Sequence, residues 1–456
     1  EDEYTMTLLG ALPLLARPGA RTVANIGLGS GLTSETILAH AGVRSIDVIE
    51  IEPAMAVGSY AFHPRVDRLF RDRRVGVHFE DAKSYFARRG ARYDVIVSEP
   101  SNPWVSGVAS LFTAEFYRDT VRYLAPDGLF VQWLQFYELN DRLLGSMFAA
   151  MDAVFADYEV YQAGAGDLVV LAVPAGSVPP LIELPAHEAG FLDMLRQIGI
   201  SRREQVLARR IGNKRQLAPL FAQTAPPANS DYRPVVQLEA PRARFLQEHA
   251  DALVDLAGAP LPVLEMLAGT EVTYLSAPAP RAGFGRYTQM VDAFQLQRSI
   301  VDRPVPGADL RAFALRHPGT LCASQPDATA LRHLHSVAAD TLAHLGPAQR
   351  RALWAQPRWL GCPLSRTAPS VRARFAVYRA VAERDARGML QQARALLEPP
   401  PTQDAEWARF LLATAVLGAQ ASGQADEARR LWRRYAPTLL SSGARPYERY
   451  IADWKN

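Results

Sequence analysis

The residues best suited to bind a nucleotide lie near the start of the chain, where glycines follow a short apolar run. Val23-Ala24-Asn25-Ile26 has the composition of a buried strand, and Gly27-Leu28-Gly29-Ser30-Gly31 leads from it into a helical pattern that Thr33 opens. Glycines allow a ligand to approach the backbone closely, and the first turn of a helix presents unpaired N–H groups. The sequence therefore predicts a cofactor-binding turn made of Gly27, Gly29, Ser30 and Gly31.

Two acidic residues follow the next two predicted strands. Glu50 lies about twenty positions after the glycine turn, where a carboxylate can accept hydrogen bonds from both hydroxyls of a ribose. Asp81 and Ala82 open the helix after the third strand. In parallel-sheet folds that bind a nucleoside at a glycine turn of this kind, that position reaches the adenine amino group. Asp81 is also placed to cap that helix. We therefore predict that Glu50, Asp81 and Ala82 bind the cofactor.

The segment after the next strand is the strongest candidate for catalysis. Asp94–Ser98 has the pattern of a buried strand, and Glu99-Pro100-Ser101-Asn102-Pro103-Trp104 follows it at the carboxyl edge of the sheet, where ligands of open α/β folds bind. Glu99 and Asn102 are the predicted catalytic residues. Two prolines fix the loop, and Trp104 can form a pocket wall that excludes water. A rigid cap over the sheet is the alternative interpretation.

These residues need a parallel sheet to bring them together, and residues 21–173 have the pattern of one. Short β-rich runs alternate with segments whose apolar residues have helical spacing, which is typical of a sheet with helices on both faces. Seven strands that end in a hairpin match the α/β, Rossmann-like fold of class I S-adenosylmethionine-dependent transferases. The predicted strands are Thr22–Ile26, Ser45–Ile51, Val75–Phe79, Tyr93–Ser98, Gly128–Leu134, Tyr158–Tyr161 and Leu168–Val173, and the predicted helices are Thr33–Ala41, Ala82–Arg89, Ala114–Leu124 and Arg142–Val154.

The chain changes character after this α/β part. Proline-rich Val173–Pro185 predicts a linker, and Asn229–Pro234 with the strand-like Val235–Leu238 predicts a segment that returns to the first domain. The remainder has helical patterns rich in Ala, Leu and Arg. Two similar stretches, Gly388–Arg394 and Gly423–Arg429, each contain a glycine assigned to a turn and lie 35 residues apart, near the tetratricopeptide period. Helix-pair repeats near residues 374–436 and a generic helical bundle both stay open.

The composition sets further limits. The 456 residues have a formal net charge of +3, and the basic clusters are short, so we predict no nucleic-acid partner. Cys322 and Cys362 lie far apart and fit neither a disulfide framework nor a zinc site, which predicts a reducing compartment. His333 and His335 have no third ligand in view, so no metal site is predicted. No run of eighteen apolar residues occurs, and the chain as given is predicted to be soluble.

The order of these motifs resembles the polyamine aminopropyltransferases, the spermidine synthases. It is most similar to the bacterial branch in which a synthase-like domain is fused to a membrane-embedded, transporter-like portion. The resemblance spans residues 1–242. The segments that carry it are Gly27–Gly31, Ile49–Glu52, Glu80–Ala82, Ser98–Pro103, Leu111–Tyr117 and Asn229–Pro241.

The resemblance implies transfer of an aminopropyl group from decarboxylated S-adenosylmethionine to a diamine such as putrescine. Glu99 matches the family's catalytic aspartate, which acts as base. Two departures concern charge, since Asn102 and Ser30 stand where the family has aspartates. Tyr4, Gln132, Trp133 and Gln135 match positions near the edge of the sheet that line the family's substrate pocket.

Two other functions stay open. The neutral Ser30 and Asn102 favour a methyltransferase on the same scaffold, with S-adenosylmethionine as donor. A binding module that recruits a protein partner through its helical half is the third interpretation.

The predicted organisation is a synthase-like Rossmann domain over residues 1–242, with the linker and return segment at 174–242, and a helical domain over 243–456. We predict a cytoplasmic location, and the fused branch implies attachment to a bacterial inner membrane through a portion outside this chain. A homodimer and a protein partner for the helical domain stay open.

Overall fold

The computed structural model describes the chain in seven ranges: residues 2–164, 166–224, 226–281, 285–301, 309–316, 321–401 and 404–454. It divides the chain into two compact units. The α/β unit comprises Glu1–Asp251, and the helical unit comprises Ala252–Arg281 with Gly285–Asn456. The first unit therefore extends beyond the predicted domain end at residue 242.

A single sheet forms the centre of the α/β unit. Its strands are β1 Thr22–Ile26, β2 Ser45–Glu50, β3 Val75–Phe79, β4 Tyr93–Ser98, β5 Leu124–Gln135, β6 Asp157–Gln162, β7 Asp167–Val173 and β8 Arg210–Asn213. They lie in the order β3-β2-β1-β4-β5-β7-β6-β8. The first five strands, β1 to β5, are parallel to one another. Strand β7 pairs antiparallel with β5 and β6, and β8 pairs antiparallel with β6.

The predicted Rossmann-like fold is confirmed, with one correction to the sheet. The prediction of seven strands was wrong, because Arg210–Asn213 adds an eighth at the edge of the sheet. Only Ile211 and Gly212 of this strand are buried, and four residues are too few to show a strand period.

The described part of the α/β unit contains eleven α-helices. They are α1 Asp2–Ala16, α2 Leu32–Ala39, α3 Pro53–Tyr60, α4 Asp67–Arg71, α5 Ala82–Arg89, α6 Ala114–Arg122, α7 Asp141–Asp152, α8 Ala189–Gln197, α9 Arg203–Leu207, α10 Lys214–Phe221 and α11 Val235–Phe245, with a 3₁₀ turn at Val108–Phe112. Side-chain caps set several of their starts: Asp81, Thr113 and Asn140 each accept a hydrogen bond from a backbone N–H in the first turn of the helix that follows.

Helix α1 packs directly on α2. A β-carbon on Gly10 would lie 2.8 Å from the carbonyl oxygen of Thr33 and 2.9 Å from the β-carbon of Thr36, so the two backbones approach as closely as glycine permits. This contact holds the first turns of α1 near the carboxyl ends of the strands.

The segment predicted to return as a strand is a helix. Val235–Phe245 forms α11, and its buried residues Val235, Val236, Ala240 and Ala243 follow a helical spacing that the four-residue window Val235–Leu238 did not reveal. Asn229, just before it, donates a hydrogen bond from Nδ2 to the carbonyl oxygen of Phe112 at 2.9 Å. The segment therefore packs within the α/β unit.

In the helical unit, none of the residues that the structure describes lies in a strand. Its α-helices are Ala252–Ala257, Val263–Leu267, Arg286–Val301, Leu310–Arg316, Ala328–Thr341, Pro347–Arg350, Pro369–Glu383, Ala386–Leu396, Ala405–Ala421, Ala425–Leu439 and Pro446–Asp453, with a π turn at Arg351–Ala355 and 3₁₀ turns at Arg358–Leu360 and Leu364–Arg366. Throughout the described ranges, every helix is too short or too polar to cross a bilayer.

The two similar stretches differ in structure at their glycines. Gly423 has a φ of 75° and lies in the turn before its helix, as predicted, whereas Gly388 lies inside helix Ala386–Leu396. The assignment of Gly388 to a turn was therefore wrong, because Asp385 already caps that helix by accepting a hydrogen bond from Gly388 N–H. A repeat architecture stays a prediction.

The two cysteines are joined. Cys322 and Cys362 form a disulfide, so the prediction that they do not fit a disulfide framework was wrong. Sequence separation did not reveal that packing of the helical unit brings their α-carbons within 6.3 Å. The prediction of a reducing compartment rested on unpaired cysteines and loses that support.

Replacing both cysteines with serine is expected to lower the free energy of unfolding of the helical unit by about 3–4 kcal/mol, because the bridge closes a loop of about 40 residues in the unfolded chain. Urea unfolding monitored by circular dichroism measures this loss. Wild-type protein treated with a reductant serves as the control and should match the variant. Equal stability of the oxidised wild type and the variant would contradict the bridge.

Candidate active site

A cavity of about 670 Å³ lies at the carboxyl ends of the parallel strands. This is the edge at which open α/β sheets bind ligands. The residues that line it and on which the site depends are Asp2, Thr5, Met6, Gly27, Gly29, Glu50, Glu52, Glu80, Asp81, Ala82, Glu99, Asn102, Trp133, Tyr137 and Asp167. The predicted residues Gly27, Gly29, Glu50, Asp81, Ala82, Glu99 and Asn102 are thus brought together.

The glycine turn is fixed against the strand of the catalytic loop. Gly27 has a φ of 91°, and a β-carbon there would lie 2.1 Å from the carbonyl oxygen of Glu99. Glu99 in turn donates its backbone N–H to the carbonyl oxygen of Ile26 at 2.9 Å. Only glycine allows both the backbone conformation and this approach. The glycine turn and the loop after β4 are therefore held in direct backbone contact at the base of the cavity.

Glu50 is held by the backbone of the same turn. Its Oε2 accepts the N–H of Leu28 at 2.9 Å, and its Oε1 accepts the N–H of Glu52 at 2.9 Å. The side chain is 8% exposed and lines the cavity. Each carboxylate oxygen can accept more than one hydrogen bond, so this orientation leaves capacity for two ribose hydroxyls.

The acids after β3 are also ordered by local contacts. Oδ1 of Asp81 accepts the N–H of Ser84 at 2.9 Å, which caps α5 as predicted. Glu80 pairs with Arg88 at 2.6 Å, and this pairing lowers the pKa of the Glu80 carboxyl. Asp81 and Ala82 line the cavity beside Glu50 and can contact an adenine there.

Glu99 has the electrostatic setting of a general base. Its pKa is raised to about 7, mainly by burial; the Thr33 hydroxyl opposes the shift, and the Asp167 carboxylate adds to it. Its Oε2 atom is buried and accepts no hydrogen bond from the described residues, although the residue as a whole is only half-buried. A carboxyl group with a pKa near the working pH can both take up and release a proton.

This setting predicts a pH-dependent stability. Because the folded-state pKa of Glu99 lies above its ordinary value of 4.5, its contribution to stability is complete below about pH 4.5 and is lost as the pH rises through 7. Between pH 5 and 9, we expect the free energy of unfolding of wild type to fall by up to about 3 kcal/mol relative to Glu99→Gln. Urea unfolding at both pH values measures the difference. Glu183→Gln, on an exposed linker residue, is the matched control, and a Glu99→Gln curve parallel to wild type would contradict the prediction.

Six predicted site residues do not line the cavity. Ser30 donates from Oγ to the sulfur of Met6 at 3.0 Å, and Gly31 packs against Leu69 of α4. Both residues therefore contact neighbouring side chains of the α/β unit and not the cavity. The other four are Tyr4, Trp104, Gln132 and Gln135.

The contacts of these four residues explain their positions. The Tyr4 ring lies under the Arg209 guanidinium and the Trp104 ring under that of Arg244. Gln132 is fully buried, and its Nε2 donates to the backbone carbonyl oxygens of Ser98 and Trp133. Successive side chains of a strand point to opposite faces, and Trp133, the next residue, is the one that lines the cavity. Gln135 is also buried in β5, and its Nε2 has no hydrogen-bond partner among the described residues.

The structure adds residues that sequence reasoning missed. Asp167 opens β7, which runs antiparallel to β5 and so begins at the carboxyl end of the sheet. Its carboxylate accepts hydrogen bonds from the Trp133 indole at 3.1 Å and the Thr5 hydroxyl at 2.8 Å. Tyr137 follows β5, and Asn102 donates to its hydroxyl at 3.4 Å. The predicted hairpin could have identified Asp167, because Asp167 begins its second strand. The predicted strand began one residue later, at Leu168.

No group of three or more His, Cys, Asp or Glu side chains in the described ranges is arranged to hold a metal ion.

The sequence of the α/β unit is similar to that of known proteins. Residues 1–164 match the spermine/spermidine synthase domain. The polyamine aminopropyltransferase of Moorella thermoacetica is 29% identical over 162 residues, which are 35% of this chain and 57% of that protein. That of Leptospira biflexa is 26% identical over 162 residues, with the same coverage. The predicted resemblance to this family is confirmed.

The matched segment, residues 1–164, is a part of the chain and corresponds to a part of each relative. The chain spans less than two thirds of the length of the curated relatives it matches, at 57% of each. Among solved structures, spermidine synthase from Thermotoga maritima is 21% identical and covers 39% of this chain and 61% of its own, with a TM-score of 0.34. The predicted fusion to a membrane-embedded portion stays a prediction.

Proposed function

We propose that the chain transfers an aminopropyl group from decarboxylated S-adenosylmethionine to a diamine such as putrescine. Glu50 and Asp81 would bind the ribose and adenine of the donor over the turn at Gly27. The neutral amine of the acceptor attacks the aminopropyl carbon bound to the sulfonium sulfur, and a new C–N bond forms. The C–S bond breaks, its electron pair stays on sulfur, and methylthioadenosine leaves. The nitrogen loses a proton, and Glu99 accepts it.

The charge of the cavity wall carries this proposal. Seven carboxylates line the cavity, namely those of Asp2, Glu50, Glu52, Glu80, Asp81, Glu99 and Asp167. No Lys, Arg or His of the described residues lines it. A cavity of this sign attracts cations and disfavours anions. The decarboxylated donor and a diamine are both cationic, so they suit this wall.

A methyltransferase is the second candidate, because two positions that hold aspartates in the aminopropyltransferases are neutral here. The Ser30 hydroxyl donates to the sulfur of Met6, and the Asn102 amide donates to the hydroxyl of Tyr137. Because both side chains are neutral, neither offers a negative charge to an amine. S-adenosylmethionine, however, carries a carboxylate, and the acidic lining gives that group no cationic partner within the described residues. The charge balance therefore favours the decarboxylated donor.

The deciding experiment supplies each donor with a panel of mono-, di- and polyamines and detects the products by mass spectrometry. Aminopropylated amine together with methylthioadenosine supports the proposal. Methylated product with S-adenosylhomocysteine supports the second candidate. Absence of both products across the panel contradicts enzymatic transfer and favours a binding role for the chain.

A further inference from the structure

The strand order sets out the ligand-binding acids in a row along the edge of the sheet. Asp81 follows β3, Glu50 ends β2, Gly27 follows β1 and Glu99 follows β4. Asp167 opens β7, which lies two strands beyond β4 on the side away from Glu50. Glu99 therefore stands in the middle of the row, with the predicted nucleoside contacts on one side and Asp167 on the other.

Asp167 is fixed in place by neutral donors on two different elements. The Trp133 indole N–H of β5 bonds to Oδ1, and the Thr5 hydroxyl of α1 bonds to Oδ2. The ring of Tyr137 packs beside the preceding residue, where a β-carbon on Gly166 would lie 2.4 Å from Cδ1 of the ring. The carboxylate therefore keeps one orientation while its oxygens retain capacity to accept further hydrogen bonds.

We infer that Asp167 binds the distal ammonium of the amine acceptor while its other amine reacts beside Glu99. This inference rests on the proposed function. Asp167 would supply on β7 a negative charge that the neutral Asn102 does not supply in the catalytic loop.

The spacing of β4 and β7 is comparable to the length of a short diamine. Neighbouring strands lie about 4.8 Å apart, so β4 and β7 are separated by roughly 10 Å. A diamine with a chain of about four carbons, with one hydrogen bond of about 2.8 Å at each end, spans a similar length. A monoamine cannot reach both carboxylates.

Electrostatics links the two acids. The Asp167 carboxylate raises the pKa of Glu99, and it also raises that of the Tyr137 hydroxyl. A bound cation between them relieves this repulsion, because an opposite charge favours the ionised carboxylate. A diamine bound at Asp167 therefore promotes the ionised, proton-accepting form of Glu99.

Asp167→Asn tests the inference because it retains the size of the side chain and removes the charge. We expect kcat/KM for 1,4-diaminobutane to fall by about 10- to 150-fold, the loss of one charge-assisted hydrogen bond. For 1-aminobutane and for the donor, kcat/KM should stay near wild type when measured well above pH 7, where Glu99 is ionised in both proteins. Asp127→Asn, which removes an exposed acid of β5, is the matched control and should leave both amines unaffected.

Binding measurements separate this inference from the proposed reaction. Calorimetric titration of 1,4-diaminobutane into protein saturated with methylthioadenosine should show the same loss of affinity in Asp167→Asn. Diamine binding by wild type that is lost in Asp167→Asn, without any transfer, would contradict the reaction and support the role of Asp167. Absent diamine binding by wild type, equal binding by the variant, or a loss confined to the donor would each overturn the role of Asp167.

A third readout distinguishes charge from structure. In Asp167→Asn, the pKa of Glu99, followed by carbon NMR of the labelled carboxyl, should fall because one neighbouring negative charge is gone. An unchanged Glu99 titration together with a changed circular dichroism spectrum would indicate a merely structural role.

Discussion

Replacing Glu99 with glutamine is expected to lower kcat for aminopropyl transfer by about 10²- to 10⁴-fold. The amide keeps the shape of the side chain but cannot accept the proton that the attacking amine releases. Binding of methylthioadenosine, measured by calorimetry, should be unchanged because Glu50 and Asp81 remain in place. This combination separates a base from a residue that only shapes the pocket.

The pH profile gives the same variant a second test. In wild type, kcat/KM for the amine should rise as Glu99 ionises near pH 7, since burial holds its pKa there in the free protein. For kcat the same limb should lie at lower pH, because the bound cations favour the carboxylate. Glu99→Gln should lack this limb, and Glu183→Gln should retain it. A variant with wild-type kcat would refute the assignment of Glu99 as base.

Gly27→Ala is expected to abolish donor binding and to lower the free energy of unfolding by about 2–5 kcal/mol. The added methyl group would lie 2.1 Å from the carbonyl oxygen of Glu99, and alanine disfavours the φ of 91° found there. Relief of this overlap moves the glycine turn and the catalytic loop apart. Calorimetry with methylthioadenosine and urea unfolding measure the two effects.

Gly29→Ala is the matched control for this steric argument. Gly29 also has a positive φ, 51°, but a β-carbon there would meet no atom within 4 Å. We expect a loss of about 1 kcal/mol from the backbone conformation alone. Equal losses in the two variants would show that the contact with Glu99 is unimportant.

Local patterns were sufficient to predict the half of the site that comes from parallel strands. Gly27, Glu50, Asp81 and Glu99 each lie at or just after the carboxyl end of a strand whose apolar run is visible in the sequence. The carboxyl ends of parallel strands share one edge of the sheet. The position of Gly27, Glu50, Asp81 and Glu99 around one cavity followed from that rule.

The other half depends on contacts that no short window contains. Helix α1 is buried on most sides from Thr7 to Ala16, so it shows no amphipathic period, and its place over the cavity depends on the approach of Gly10 to α2. Asp167 enters the site through an antiparallel pairing whose register the sequence did not specify to one residue. The disulfide likewise depends on the packing of distant helices.

The backbone contact between Gly27 and Glu99 has a consequence for attempts to redesign this chain. The turn proposed to bind the leaving nucleoside and the residue proposed to remove the proton lie on two backbone segments that are in direct contact. Selection for a bulkier donor at the turn will therefore disturb proton removal, whereas a new acceptor can be sought on β5 and α1 without that penalty. Variation in this scaffold should accumulate on the acceptor side.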